Sequence, residues 1–249
     1  PWVSRMVMLG IYATGKIPFK HVYLHGLVLD EHGLKMSKSK GNVINPLEVA
    51  HEFGSDALRM GLLASRSADV NQSFSTGNVL AGRNFANKIW NMARFIEDKL
   101  GDNYKDRNPK PITIADHWVL DRLNKASEQV GRLIEEDRFA EAYEAVYHTI
   151  WDDVADWYIE GSKTDNNPTT VLAYVLEAML TIAHPFAPFV TETIWQTLKW
   201  EDSILAVASW PETVKVDAEQ VAEYEALRAL VTEIRFVATE LGKGKQTLV

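Results

Sequence analysis

From about residue 77 to its end the chain repeats one pattern, apolar residues returning every three to four positions, broken only by short polar stretches. That period belongs to amphipathic helices and does not suit strands, whose side chains alternate. The spacing predicts helices near 78–100, 114–135, 138–163, 168–183, 187–199 and 217–241. Breaks fall at Gly101, at Asn108-Pro109, at 164–168 and at His184-Pro185, and a short extended stretch runs from Ser203 to Trp210. Helices of this length joined by short loops bury their apolar stripes against one another, so an up-and-down bundle is expected.

The first 76 residues differ. Residues 2–13 read as an apolar helix ended by Gly15, and His21–His25 alternates and is rich in β-formers, which predicts a strand. Residues 26–45, with Gly26, Gly33 and Gly41, predict a loop or short hairpin. Asn45 followed by Pro46 opens a helix that ends at Gly54, and a second begins at Ser55 or Asp56 and runs through Leu63. Residues 65–76 are polar and read as a connection between modules. The expected fold is therefore mainly α: the end of an α/β domain over 1–76, a helical bundle over 77–212 and a further helical segment over 213–249.

Charge separates the same two parts. The net charge is −8, yet residues 1–113 carry 15 Lys and Arg against 10 Asp and Glu, whereas 114–249 carry 11 against 24. Phosphate or RNA contact is therefore expected in the first part. The absence of cysteine excludes disulfides, thiolate zinc and thiol catalysis in this segment. No apolar run approaches the roughly 18 residues of a membrane span, and no leader pattern is visible. The chain opens at Pro1 inside an apolar segment without an initiator Met, so a piece of a longer cytoplasmic polypeptide is expected, acting as a monomer away from membranes.

The stretch richest in chemistry is Gly33-Leu34-Lys35-Met36-Ser37-Lys38-Ser39-Lys40-Gly41-Asn42. Three ammonium groups and two hydroxyls within six residues can meet a polyphosphate. Fixed cations placed where charge develops act on the transition state more than on the ground state. A solvated basic turn is the alternative. The second stretch is Arg83–Arg94. On a helical wheel Arg83, Asn84, Asn87, Lys88, Asn91 and Arg94 share one arc, opposite Phe85, Ile89, Met92 and Ile96. The arc holds cations and carboxamides without a carboxylate, which suits RNA: cations for phosphates, amides for base edges. A soluble face of unusual composition is the alternative, and Trp90 at the margin is expected to pack. His184 is expected to bond to backbone. Trp157, Tyr158, Phe186, Phe189 and Trp195 are expected in the core, and the acidic runs 135–137 and Asp152-Asp153 on solvated faces rather than at metals.

Lys35-Met36-Ser37-Lys38-Ser39 is identical to the KMSKS motif of class I aminoacyl-tRNA synthetases. His25-Gly26-Leu27-Val28 before it, and Gly41-Asn42-Val43, Pro46 and Gly54-Ser55-Asp56-Ala57-Leu58-Arg59 after it, resemble the family's flanks. Arg83–Asn91 resembles the first anticodon-domain helix of valyl-type members, Trp151–Glu160 resembles their Asp-Trp-Tyr-Ile-Glu helix with Ala155 where Cys is common, and His184–Trp195 resembles a further segment of theirs. Lys40 after the motif leans to the valyl over the isoleucyl type, which stays open, as does a tRNA-binding module without chemistry. The resemblance implies the end of a Rossmann-like catalytic domain followed by an anticodon-binding bundle. It implies ATP at His25, Gly26, Lys35, Met36, Ser37, Lys38 and Ser39, with Lys35 and Lys38 catalytic and Mg2+ carried by the nucleotide. It implies valine as the amino acid in the complete enzyme, and a valine-accepting tRNA bound on the Arg83–Arg94 arc. The family's HIGH-type sequence and its editing insertion do not occur here, so this segment alone is expected to be inactive.

Overall fold

The computed structural model describes residues 2–64, 70–101, 106–163, 168–200 and 202–241. The elements are α1 (Trp2–Thr14), β1 (Val28–Leu29), α2 (Pro46–Phe53), α3 (Ser55–Leu63), β2 (Gln72–Ser73), α4 (Thr76–Leu100), α5 (Ile114–Glu135), α6 (Phe139–His148), a π-helical segment (Thr149–Ile159), α7 (Glu160–Ser162), α8 (Thr169–Ala183), α9 (Pro188–Leu198) and α10 (Ala218–Glu240). The mainly α expectation holds, and α4, α5, α8, α9 and α10 end within two residues of their predicted bounds.

Side-chain caps set the helix starts. Ser75 accepts a hydrogen bond from Asn78 N at the head of α4, and Asp217 from Glu219 N at the head of α10. The α5 start is a reciprocal box: Thr113 Oγ1 accepts from Asp116 N, and Asp116 Oδ2 accepts from Thr113 N. The other Asp116 oxygen accepts from the Tyr158 hydroxyl at 2.8 Å, joining the box to the π-helical segment. The axis of the bundle is α8, buried on all sides at Val171–Ala173, Val175, Leu176 and 178–183. It packs against α4, α5, α6 and α9. A helix apolar all round can only be stable at such a centre.

The span predicted as one helix over 138–163 changes winding at Thr149. Hydrophobic spacing does not separate the two windings. Inward polar ties do hold the wider segment: Tyr158 to Asp116, and Asp153 to Arg122 Nε at 2.7 Å and to Arg228 Nη2 at 3.3 Å. Asp153, expected on a solvated face, is therefore buried and doubly paired, and its neighbour Asp152 is the exposed one of the two.

The first part docks on the bundle through α3. Its helix lies against α4 so closely that a Cβ on Gly82 would stand 2.9 Å from Ala57 O. Met60 of α3 belongs to the bundle core. The strand expected at His21–His25 is absent: those residues are exposed and have no ladder partner among the described residues. Alternation alone does not make a strand without a neighbouring edge to bond. Pairing starts at Val28, where β1 runs parallel to β2 with Val28 opposite Gln72 and Leu29 opposite Ser73. β2 lies in the stretch read as a plain connection, of which 65–69 fall outside the described residues.

Candidate functional site: a lysine loop and a helix face

The loop from Asp30 to Asn42 is closed by side chains. Asp30 Oδ1 accepts from Leu34 N at 2.7 Å and from His32 N at 3.0 Å, while Asp30 Oδ2 accepts from Asn42 Nδ2 at 2.7 Å. Asn42 Oδ1 accepts from Ser37 N, and Asn42 Nδ2 reaches the Lys35 carbonyl at 3.3 Å. These donors, Asn42 foremost, hold the Asp30 carboxyl below the usual carboxylate range. Between the anchors Lys38–Lys40 form one turn of 3-10 helix, and the Ser37 and Ser39 hydroxyls stand 3.2 Å apart. Lys35 and Lys38 are exposed, and among the described residues neither they nor Lys40 have an acidic partner. Three ammonium groups without an acidic partner among the described residues stand on this anchored turn, an arrangement whose field attracts anions.

His25 and Gly26, expected at the nucleotide, lie at the loop's entrance. His25 is exposed, with Nδ1 3.0 Å from the Gly26 carbonyl oxygen. Gly26 is buried where the backbone of Val70 and Asn71 crosses it: a Cβ would fall 1.8 Å from Val70 O. Leu27 N donates to Asn71 Oδ1 at 2.8 Å in the same crossing.

On α4 the predicted arc divides. Arg83, Asn84, Asn87, Asn91 and Arg94 are exposed. Lys88 is half-buried and committed: its Nζ lies 2.9 Å from Asp156 Oδ1 and 4.7 Å from the centre of the Trp151 ring. The carboxylate missing from the arc's own sequence is supplied across the groove by the π-helical segment. Asn91, Arg94 and Phe95 line a cleft of about 520 Å3 together with Glu97 and Asp98.

Two further helix ends complete the geometry. Asp56 accepts from Phe189 N at 3.1 Å and Val190 N at 2.7 Å, capping α9 from across the fold. Arg59 donates to the carbonyls of Pro185 and Phe186 just past α8. An acid at one helix start and a cation at the neighbouring helix end both match the backbone dipoles. His184, expected to bond to backbone, instead places Nδ1 2.8 Å from Thr191 Oγ1, and burial holds its imidazole below the usual range.

Sequence comparison bears on these features together. The family described as "Anticodon-binding domain of tRNA ligase" matches residues 116–248, and "tRNA synthetases class I (I, L, M and V)" matches residues 1–73. The chain belongs to the family of the tRNA-ligase anticodon-binding domain, and its first 73 residues match the class I tRNA synthetases. Its relatives include the valine–tRNA ligases of Geobacillus kaustophilus and Geobacillus stearothermophilus, each 44% identical over 247 residues. The valine–tRNA ligase of Bacillus cereus is 41% identical over 254 residues. These alignments cover 95–96% of this chain and 28–29% of the relatives, so the chain spans under a third of their length. Among solved structures, the ternary complex of Agrobacterium radiobacter LeuRS with tRNA and LeuAMS superposes with a TM-score of 0.71 at 26% identity, covering 88% of this chain and 27% of that one.

Within this chain the five motif residues 35–39 sit on one anchored turn. The arc residues sit on a separate helix, joined to that turn through α3. Sequence reasoning missed Asp30 and Asn42 as the loop's anchors. An available signal was Asp30 three residues before Gly33, the Asp-x-x-Gly spacing of a side-chain-closed turn. Tyr158, Phe186 and Trp195 are core residues as expected, and Trp157 is half-buried. Phe189 is not: as the second residue of α9 it points outward and is 60% exposed. Trp90, expected to pack, is 38% exposed.

Proposed function

We propose that this chain is the ATP-loop and anticodon-binding portion of a valine–tRNA ligase, which joins valine to its tRNA with release of AMP and pyrophosphate. In the first step the valine carboxylate would attack the α-phosphorus of ATP and pyrophosphate would leave. Lys38, with Lys35, would hold the charge that gathers on the phosphate oxygens, and the Ser37 and Ser39 hydroxyls would donate to them. Mg2+ arriving with the nucleotide would neutralise further phosphate charge. Among the described residues no group of three or more His, Cys, Asp or Glu could hold a metal by itself. Residues 1–76 would then end the catalytic domain, 77–212 would bind the anticodon arm, and 213–249 would begin a further segment. The tRNA would lie along α4, with Arg83, Asn84, Asn87, Asn91 and Arg94 in contact and Lys88 modulated by Asp156. No described helix is long and apolar enough to cross a membrane, and we place this chemistry in the cytoplasm, in a monomer.

The observation that carries this reading is the unpaired cationic turn anchored by Asp30 and Asn42. The test is binding of this chain to a valine tRNA transcript, with an isoleucine tRNA as competitor, at two salt concentrations. Selective, salt-sensitive binding that weakens on Asn91→Ala or Arg94→Ala supports the reading. Equal affinity for both transcripts overturns the valyl assignment, and no binding to either overturns the tRNA-binding role.

A further inference from the structure

Two aromatic side chains expected to pack in the interior stand instead at the rim of one open cleft. The cleft holds about 550 Å3 and lies where the α2–α3 corner, α4 and the start of α9 converge. Its walls include Phe53, Arg83, Asn87, Trp90 and Phe189. Arg83, Asn87 and Trp90 are spaced at i, i+4 and i+7, so they line one face of α4. The Arg83 guanidinium lies 5.8 Å from the centre of the Phe53 ring. Phe189 reaches the cleft from the opposite wall, its backbone fixed by the hydrogen bond from its N–H to Asp56. Asp56 spends its two oxygens on the backbone amides of Phe189 and Val190. Among the described residues Asp56 is the only acid lining the cleft, and the Asn87 carboxamide makes no hydrogen bond.

Exposed aromatic rings beside an arginine and a free carboxamide form a characteristic surface for an unpaired nucleobase. The rings stack on its faces, the amide meets its edge, and the guanidinium meets the adjoining phosphate. An apolar protein partner would leave the exposed Arg83 and Asn87 without work. We propose that this cleft receives an unpaired base of the bound RNA, stacked by Phe189 and Trp90, at a second position beside the cleft lined by Asn91, Arg94 and Phe95. The proposal rests on the tRNA-binding role argued above and adds to it a stacking site built from α9. Asn87 and Arg94 are seven residues apart on α4, or about 10 Å. That is about three stacked nucleotides along one strand, so a single RNA strand laid on the helix can occupy both clefts.

The test measures affinity of this chain for the valine tRNA transcript after Phe189→Ala, Phe189→Leu, Phe189→Tyr and Trp90→Ala. Far-UV circular dichroism and thermal melting of each variant check that the fold is kept. Phe189→Ala and Trp90→Ala should each weaken binding by about five- to a hundred-fold. Phe189→Tyr should keep it, and Phe189→Leu should not restore it, because leucine keeps apolar area but has no ring. The dependence of log affinity on log salt should keep its slope, since no phosphate contact is removed. Unchanged affinity in Phe189→Ala, or equal affinity in Phe189→Leu and Phe189→Tyr, overturns the stacking site while leaving the tRNA-binding role intact. No binding by the unsubstituted chain overturns both.

Discussion

Asn42 donates to Asp30 across twelve residues of chain, at 2.7 Å, and thereby closes the lysine turn at its base. Breaking this bond should loosen the turn without touching the bundle. Asn42→Ala should speed tryptic cleavage after Lys35, Lys38 and Lys40 by about tenfold, as expected for a lost charge-assisted hydrogen bond. The thermal midpoint should stay nearly unchanged. Acid should act in the same direction. The Asp30 carboxyl is depressed in the folded chain, chiefly by Asn42. Its contribution is therefore fully present above the unfolded value of about 3.9 and is lost as pH falls through the folded value. Amide exchange at His32 and Leu34, followed from neutral pH downward, checks this.

Asp56 makes a different prediction, because burial raises its carboxyl above the usual range against the two backbone donors. A carboxyl raised on folding contributes stability that is present below the unfolded value and is lost as pH rises through the folded one. Its charge is therefore not what the α9 cap needs most; its acceptor oxygen is. Asp56→Asn, which keeps one of the two acceptor oxygens, should melt between the unsubstituted chain and Asp56→Ala, and Asp56→Ala should cost about 1–2 kcal/mol, the ordinary value of a lost cap. Equal melting of the two variants would contradict this account.

Gly26→Ala should disrupt the crossing of the two backbones. The added methyl would fall 1.8 Å from Val70 O, and relieving such overlap costs on the order of 1–3 kcal/mol or more. The loss should be local. The amides of Gln72 and Phe74, which bond to Leu27 and Leu29 carbonyls, should lose exchange protection while those of α8 keep theirs.

The two cations at the middle and end of the α4 arc should behave unequally toward RNA. Arg94→Ala should lower the salt slope of tRNA affinity by about one counterion. Lys88→Ala should change it little, because Asp156 already pairs with that ammonium group. Asp156→Asn should strengthen binding by freeing it. Equal slopes for Arg94→Ala and Lys88→Ala would remove the distinction.

The helices and the lysine motif were legible in the sequence because each depends on local information. The period of apolar residues locates α5 and α8, and Lys35–Ser39 is contiguous. What escaped depends on distance. Asp156 neutralises Lys88 from 68 residues away, and no wheel drawn on α4 alone contains it. Phe189 carries the composition of a core residue, but its place in the first turn of α9 turns it outward. Asp153 sits in an acidic run that looks solvated, and only the approach of α5 and α10 buries it between Arg122 and Arg228. The strand expected at His21–His25 failed for the reverse reason. Its alternation is real, but a strand is a relationship between segments.

The grip of α3 on the bundle carries a mechanical meaning. Asp56 holds the start of α9, Arg59 holds the end of α8, and Gly82 lets α3 lie directly on α4. The lysine turn closes at Asn42, fourteen residues before Asp56. α3 is thus fixed to the bundle at three points, and α2, which follows the turn, packs on α3; if the turn takes a phosphate and the bundle a base, as proposed above, the span between them is set in the manner of a gauge. An RNA whose arm is too short or too long for that gauge would be turned away by length, before any base is read.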